Sequence, residues 1–276
     1  MIDALTSPTL KYLRERWWSD DFNDFLVETL RPRPGNRILD VGCGEGVAEV
    51  RLGRLHVSQL RLFGVDLMIE RVMVARHEAA AHNQRVGYAA ADACHLPFRD
   101  GVFDSTYCVA LLQHIVDAEG AIREFARVTA SGGRVMAVEP DNTFRYVYSS
   151  TPTGTRAFEA AKVFFDAVMK AEGERMAIDV GPRLATLFDR NGIEPLEVRL
   201  FPVSKAQLGV VPDELWNRRR AAIQAAIDRV GADSVRTIGA EYLRVLDAYA
   251  RESQRAGSAF VELQNTMLFA TVGQKS

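Results

Sequence analysis

The sequence is short of the features that would place it in several large protein classes. It has three cysteines in 276 residues: Cys43, Cys94 and Cys108. They are odd in number, widely spaced and free of any C-x-x-C pair. That argues against a disulfide framework or a zinc site and fits a reducing compartment. Charge of one sign is not in excess: 34 lysines and arginines stand against 36 aspartates and glutamates, a formal charge of −2. A surface that tracks nucleic-acid phosphates needs a basic stripe or surplus, so nucleic acid is a poor expectation as partner. No run of about 18 apolar residues occurs, and no membrane-spanning helix is expected. The segment MIDALTSPTLKYLRERWW lacks a basic stretch followed by an apolar one, so no signal peptide is expected. Together these absences lead to the expectation of a cytoplasmic protein. At 47% hydrophobic and 25% charged residues, the composition is that of an ordinary globular chain.

What is present is a regular alternation. Residues 1–30 have apolar positions Leu10, Leu13, Trp17, Phe22, Phe25, Leu26 and Leu30 at helical spacing, and Arg31-Pro32-Arg33-Pro34-Gly35 then breaks the helix. Strands are expected at residues 37–41, 60–65, 85–90, 103–109 and 134–138. Helices are expected between them at 47–56, 69–83 and 117–129, the last stopped by Ser131-Gly132-Gly133. The fifth strand is expected to end at Glu139-Pro140-Asp141. Strands alternating with helices five times predict a doubly wound α/β domain with a mostly parallel sheet. Beyond Asp141 the rhythm changes: helices at 154–173 and 182–191, a strand at 193–203, helices at 212–230 and 233–256, and a last strand at 261–272. In the final helix Asp247 and Arg251 are spaced for an i,i+4 ion pair. Trp17 and Trp18 either pack in a core or line a ligand mouth. Arg218-Arg219-Arg220 reads as a solvated helix face, with an anion site as the sharper alternative. The cysteines read as small buried residues.

The most informative segment is Ile38-Leu39-Asp40-Val41-Gly42-Cys43-Gly44-Glu45-Gly46. A buried strand enters a turn with glycine at every second position, and a helix follows. Glycine permits positive φ and lets the backbone approach a ligand, and the helix start offers free N–H donors. A dinucleotide fingerprint, G-x-G-x-x-G or A, would require glycine or alanine at Val47, so that pattern fails.

The observed D-x-G-x-G-x-G resembles the first motif of class I S-adenosylmethionine-dependent methyltransferases. The resemblance covers residues 35–141 and includes three further features in order: Gly64-Val65-Asp66, Ala91-Asp92-Ala93, and the run from Phe103 to His114. It implies a Rossmann-like, doubly wound seven-stranded sheet whose last strand is antiparallel, with S-adenosyl-L-methionine as cofactor. It further implies that Asp40 and the loop at Gly42, Cys43 and Gly44 hold the methionine portion. Asp66 would accept both ribose hydroxyls, and Leu67 and Met68 would pack on adenine. Asp92 and the Ala93 backbone would address the adenine edge, and Val109 and Ala110 would lie beside the methyl group. Helix capping by Asp66 and a turn at Asp92 are the plainer alternatives.

The resemblance divides the chain into an N-terminal helical segment (1–34), the cofactor core (35–141), a helical addition (142–180), completion of the sheet (181–203 and 259–276) and a helical insertion (204–258). In open α/β sheets ligands lie at the carboxyl ends of strands. Both additions are therefore expected to emerge on that edge, either as a cap enclosing a small acceptor or as a homodimer interface. Transfer from a sulfonium is an in-line displacement that mainly needs positioning, with a base only if the acceptor must lose a proton. His114 and Glu139 are the leading candidates for that base, followed by Asp141, Tyr146 and Tyr148. The expected function is methylation of oxygen, nitrogen or carbon on a small metabolite. A protein or RNA methyltransferase and a non-catalytic cofactor-binding protein are the alternatives. No metal-ligand spacing occurs, so no metal is expected.

Overall fold

A computed structural model describes residues 17–173 and 179–276 of the chain. The expected helical positions Leu10 and Leu13 lie outside the described residues. The chain divides into two compact units. The first comprises Met1–Thr143, Ala177–Val203 and Met267–Ser276, and the second Phe144–Met176 and Ser204–Thr266.

The first unit opens with α1 (Asp20–Leu30). Ser19 caps it by accepting from the Phe22 N–H at 3.2 Å, and Asp20 and Asp21 complement the positive end of the helix dipole. The elements then alternate: β1 (Arg37–Val41), α2 (Val47–Gly53), β2 (Arg61–Asp66), α3 (Ile69–Ala81), β3 (Val86–Ala90), β4 (Phe103–Val109), a 3₁₀ turn (Leu112–His114), α4 (Ala118–Val128) and β5 (Thr129–Ser149). After the second unit's first helix come α6 (Val180–Arg190) and β6 (Ile193–Leu208), and β7 (Val261–Lys275) closes the chain. The seven strands form one sheet in the order β3-β2-β1-β4-β5-β7-β6, with β7 antiparallel. Strands β1 to β5 pair in parallel, as short apolar runs covered on both faces should.

Alternation along β1 sets the two faces. Leu39 and Val41 join the core that α4 and α6 cover through Ile122, Phe125, Leu184 and Phe188. Ile38 points to the opposite face, where α1 and α2 contribute Phe22, Phe25, Leu26 and Leu52. Phe201 of β6 completes this second core, its ring 5.3 Å from Phe22 and 5.1 Å from Phe25. Trp17 and Trp18 pack against it, with Trp18 edge-on to Phe22 at 5.3 Å, which realises the core-packing reading of the two tryptophans.

The structure corrects the fifth strand. It begins at Thr129 and continues to Ser149, well past Glu139-Pro140-Asp141. Gly132 adopts φ +74° and the β4–β5 register slips between Phe103 and Ser105, so the glycines form an irregularity inside the strand. Beyond the proline, Tyr146-Val147-Tyr148 supplies the aromatic and β-branched residues that favour extended backbone. β6 is likewise longer than expected, ending at Leu208.

The second unit contains α5 (Pro152–Ala171), α7 (Asp213–Val230), α8 (Asp233–Ala256) and the outer parts of β5, β6 and β7. Its own core includes Phe164, Trp216, Ile227, Tyr249 and Phe260. The arginine run of α7 is neutralised inside this unit. Arg218 pairs with Glu214 at 2.7 Å, Arg219 grips buried Glu262 with both terminal nitrogens, and Arg220 pairs with Asp247 at 2.7 Å. Asp247 thus pairs across to α7 rather than with Arg251 on its own helix.

Candidate functional site

The three loop glycines all take positive φ: Gly42 at +78°, Gly44 at +55° and Gly46 at +81°. Glycine is required at two of them for space as well. A Cβ at Gly42 would stand 2.7 Å from Leu111 Cδ1, and one at Gly46 would stand 2.7 Å from the Tyr88 hydroxyl. The loop is pinned to the neighbouring strand, because the Gly42 and Cys43 N–H groups both donate to the Val65 carbonyl, at 2.7 and 2.9 Å.

Asp66 ends β2 and is buried. Its Oδ2 accepts from the Gly44 N–H at 3.0 Å and its Oδ1 from the Met68 N–H at 2.9 Å. The carboxylate therefore ties the glycine loop to the start of α3. Leu67 is 74% exposed, an apolar side chain without cover beside this carboxylate. Asp92 is an exposed turn residue. It accepts from the Cys94 N–H at 2.9 Å and pairs with His95 at 3.1 Å, and these bonds hold its carboxyl below the usual range. Ala93 is buried. Val109 closes β4, and Ala110 sits at φ +55°, a conformation that costs a non-glycine residue about 1–3 kcal/mol and clusters at functional sites. Its N–H bonds the Val138 carbonyl at 2.7 Å. The glycine loop, Asp66 and the strained Ala110 thus meet at the carboxyl ends of β1, β2 and β4, where the strand order reverses.

The two leading base candidates occupy different settings. Glu139 is fully buried, and its Oε1 accepts from the Leu111 and Leu112 N–H groups at 2.7 and 2.6 Å, with a longer 3.4 Å bond from Gln113 to Oε2. These are the amide donors that a helix start leaves without internal partners, so the carboxylate caps the 3₁₀ turn. His114 is half-buried at the end of that turn. Asp141 accepts from the Thr143 N–H and hydroxyl at 2.8 and 2.6 Å, a local turn. Tyr146 and Tyr148 are exposed. Cys43 and Cys108 are buried, but Cys94 is half-exposed and its thiol donates to the Asp117 carbonyl at 3.5 Å, so the buried reading fails for that cysteine.

Behind the loop lies a group that sequence reasoning missed. The register aligns Tyr107 of β4, Asp40 of β1, Gly64 of β2 and Tyr88 of β3 in one row across the sheet. Glu49 of α2 fills the notch that Gly64 leaves: a Cβ there would collide with its Oε1 and with the Tyr88 ring. Glu49 is 1% exposed, and neither of its oxygens has a hydrogen-bond partner among the described residues, nor has Asp40 Oδ1. Burial pushes Asp40 up to about 8; the neighbouring Tyr107 side chain opposes the rise and the Asp66 carboxylate adds to it. Burial and the nearby Asp40 push Glu49 well above the usual carboxylate range. The one available signal was Gly64, because an isolated glycine inside a strand marks a close approach.

Residues 39–137 match the family described as a methyltransferase domain. With the sheet order and the glycine cradle, that match makes the segment a class I methyltransferase domain whose cofactor is S-adenosyl-L-methionine. A demethylmenaquinone methyltransferase of Mycobacterium marinum (strain ATCC BAA-535 / M) is 33% identical over 135 residues, covering 49% of this chain and 53% of that protein. An O-methyltransferase of Pyrenophora dematioidea is 32% identical over 148 residues, covering 48% of this chain and 55% of that protein. The chain spans about half the length of the curated relatives it matches. Among solved structures, a candidate methyltransferase of Bacillus halodurans C-125 superposes with a TM-score of 0.58 at 17% identity, covering 93% of this chain and all of that one, which shows the fold alone. Among the described residues no helix is long and apolar enough to cross a membrane.

Proposed function

We propose that the chain transfers the methyl group of S-adenosyl-L-methionine to a small-molecule acceptor by in-line displacement. The observation that carries this reading is the acidic floor of the glycine cradle. Asp40, Glu49 and Asp66 gather at a loop whose three glycines present no side chain to a ligand, and among the described residues Asp40 and Glu49 leave three carboxyl oxygens unbonded. Such a floor can ionise beside a ligand that carries positive charge, as a sulfonium does, and has no cation to offer the pyrophosphate of a nicotinamide dinucleotide. Asp40 and the backbone at Gly42, Cys43 and Gly44 would hold the methionine portion, and Asp66 the ribose. Leu67 and Met68 would cover one adenine face, with Asp92 and Ala93 at its edge and Val109 beside the methyl-bearing end. The bound cofactor supplies an electrophilic methyl group, and the chain's residues orient the partner that attacks it.

His114 ends the turn that follows the strained Ala110 and would receive an acceptor proton where the acceptor must lose one. Glu139 holds that turn through its amides and so positions His114 rather than moving a proton itself. Acceptor selection falls to the additions outside the cofactor core, residues 142–180 and 204–258. A near-neutral chain of net charge −2 favours a small acceptor over an RNA. The quinone in the name of one relative agrees with that size class.

The test is incubation of the purified protein with methyl-labelled cofactor and a metabolite extract, followed by mass spectrometry of both small-molecule and macromolecular fractions. Label in a small metabolite supports the reading. Label only in protein or RNA, or binding of cofactor with no labelled product, contradicts it.

A further inference from the structure

Glu49 is a poor residue for the place it occupies. A glutamate 1% exposed, with neither carboxyl oxygen bonded among the described residues, is tolerated in a folded protein only when something compensates for it. Its surroundings include acids and phenols: Asp40 from β1, with Asp66 acting on Asp40 from the end of β2, Tyr88 from β3, Tyr107 from β4 and Cys43 from the loop itself. Two cations come from α3: Arg71, whose Nη1 lies 3.9 Å from the position a Cβ at Gly44 would take, and Arg76, which donates to the Tyr88 carbonyl at 2.6 Å. The sheet has been cut away to admit Glu49, since any residue larger than glycine at position 64 would occupy its space.

We propose that Glu49, wedged into the notch at Gly64 beside Asp40, forms with it a proton-linked counter-charge behind the glycine loop that favours the cationic methyl donor over its neutral thioether product. This rests on the cofactor reading above. In the free protein the two carboxyls are neutral at moderate pH, because burial disfavours their charged forms. Burial likewise holds the Cys43 thiol and both phenols protonated, so the proton that moves in the neutral range belongs to the carboxyl pair. A sulfonium brought to the loop favours the ionised form, and the pair releases a proton. Methyl transfer converts the sulfonium to an uncharged thioether. The counter-charge then has no partner, the pair takes a proton back, and the product is held less firmly than the donor. Donor and product otherwise carry the same amino and carboxylate groups, and because the sulfonium makes the donor's amino group the more acidic, the free ligands are titrated separately and their protons subtracted.

The experiment is calorimetric titration of the full chain with S-adenosylmethionine and with S-adenosylhomocysteine. It is run in two buffers of different ionisation enthalpy, so that protons released on binding are counted, and at several values between pH 6.5 and 8.5. The donor is expected to bind with release of a proton and the product without it, so that donor preference over product grows by up to about tenfold per pH unit below pH 8. In Glu49→Gln, which keeps shape and removes the charge, that pH-dependent preference is expected to shrink to about threefold or less across the range, with binding of both ligands retained. The wild-type proton count decides the matter even if the variant fails to fold. Equal proton release for donor and product, or an unchanged pH dependence in Glu49→Gln, overturns the proposal and leaves the cofactor reading standing. Failure of the wild-type protein to bind either ligand removes the reading and the proposal with it.

Discussion

Replacing Glu139 separates a structural carboxylate from a catalytic one. Its Oε1 accepts two short backbone bonds, at 2.7 and 2.6 Å, and Oε2 a weaker one at 3.4 Å, all in a fully buried setting. A hydrogen bond to a charged group contributes about 1.5–3 kcal/mol and a neutral one about 0.5–1.5 kcal/mol. Glu139→Gln keeps an acceptor oxygen for the two short bonds and loses their charge assistance, a cost of about 2 kcal/mol. Glu139→Ala also leaves buried N–H groups without partners and opens a cavity, for about 4–5 kcal/mol. At about 2–4 °C per kcal/mol for a chain of this size, the expected drops in Tm are about 4–8 °C and about 8–20 °C. Thermal unfolding followed by circular dichroism measures both. Assayed well below Tm, Glu139→Gln is expected to keep the shape of its pH–rate profile, whereas loss of a general base would lower the rate about 10²–10⁴-fold. An unchanged Tm in Glu139→Ala, or a collapse of turnover in Glu139→Gln at full stability, would refute the capping role.

Two further outcomes follow from buried charge. In the second unit, Arg219→Met strands Glu262, which is 2% exposed, and is expected to cost about 3–5 kcal/mol in urea unfolding. The double change to Arg219→Met with Glu262→Met is expected to recover most of that, and a double variant as unstable as the single one would show the pair to be net stabilising. In the cofactor-free protein Asp40 is pushed from the ordinary 3.8 up to about 8, so it holds a proton when folded that it loses when unfolded. The unfolded state binds fewer protons between these values, and stability therefore falls as pH rises from about 4 to about 8. Glu49→Gln is expected to flatten that decline in melts recorded across the range, and a melting temperature that climbs with pH over the same interval would show the pair to be ionised.

The strand-helix alternation was legible because parallel strands buried on both faces are short apolar runs, and because the 42–46 loop needs glycine where its backbone turns left-handed. Asp66 was visible as the acid that ends a strand. Beyond the isolated Gly64 the sequence carried no sign of Glu49, since α2 is seven residues long and buries Ala48, Glu49 and Val50 in succession, leaving no periodic face to read. It also misled at β5: glycine and proline usually end a strand, and here they lie within one whose continuation rests on Tyr146-Val147-Tyr148. The partner of Asp247 was hidden because the i,i+4 spacing to Arg251 is local, whereas Arg220 comes from another helix. Glu139 drew attention as a polar residue at a strand end, but only the three amides around it show what it holds.

The cradle itself is tested most directly by titrating S-adenosyl-L-methionine into the wild-type protein and into Asp66→Ala. The account predicts saturable one-to-one binding to the wild type, weakened about a hundredfold in the variant as charge-assisted bonds to the ribose and the tie to Gly44 are lost. Equal affinity of the two proteins, or no binding to either, would contradict it.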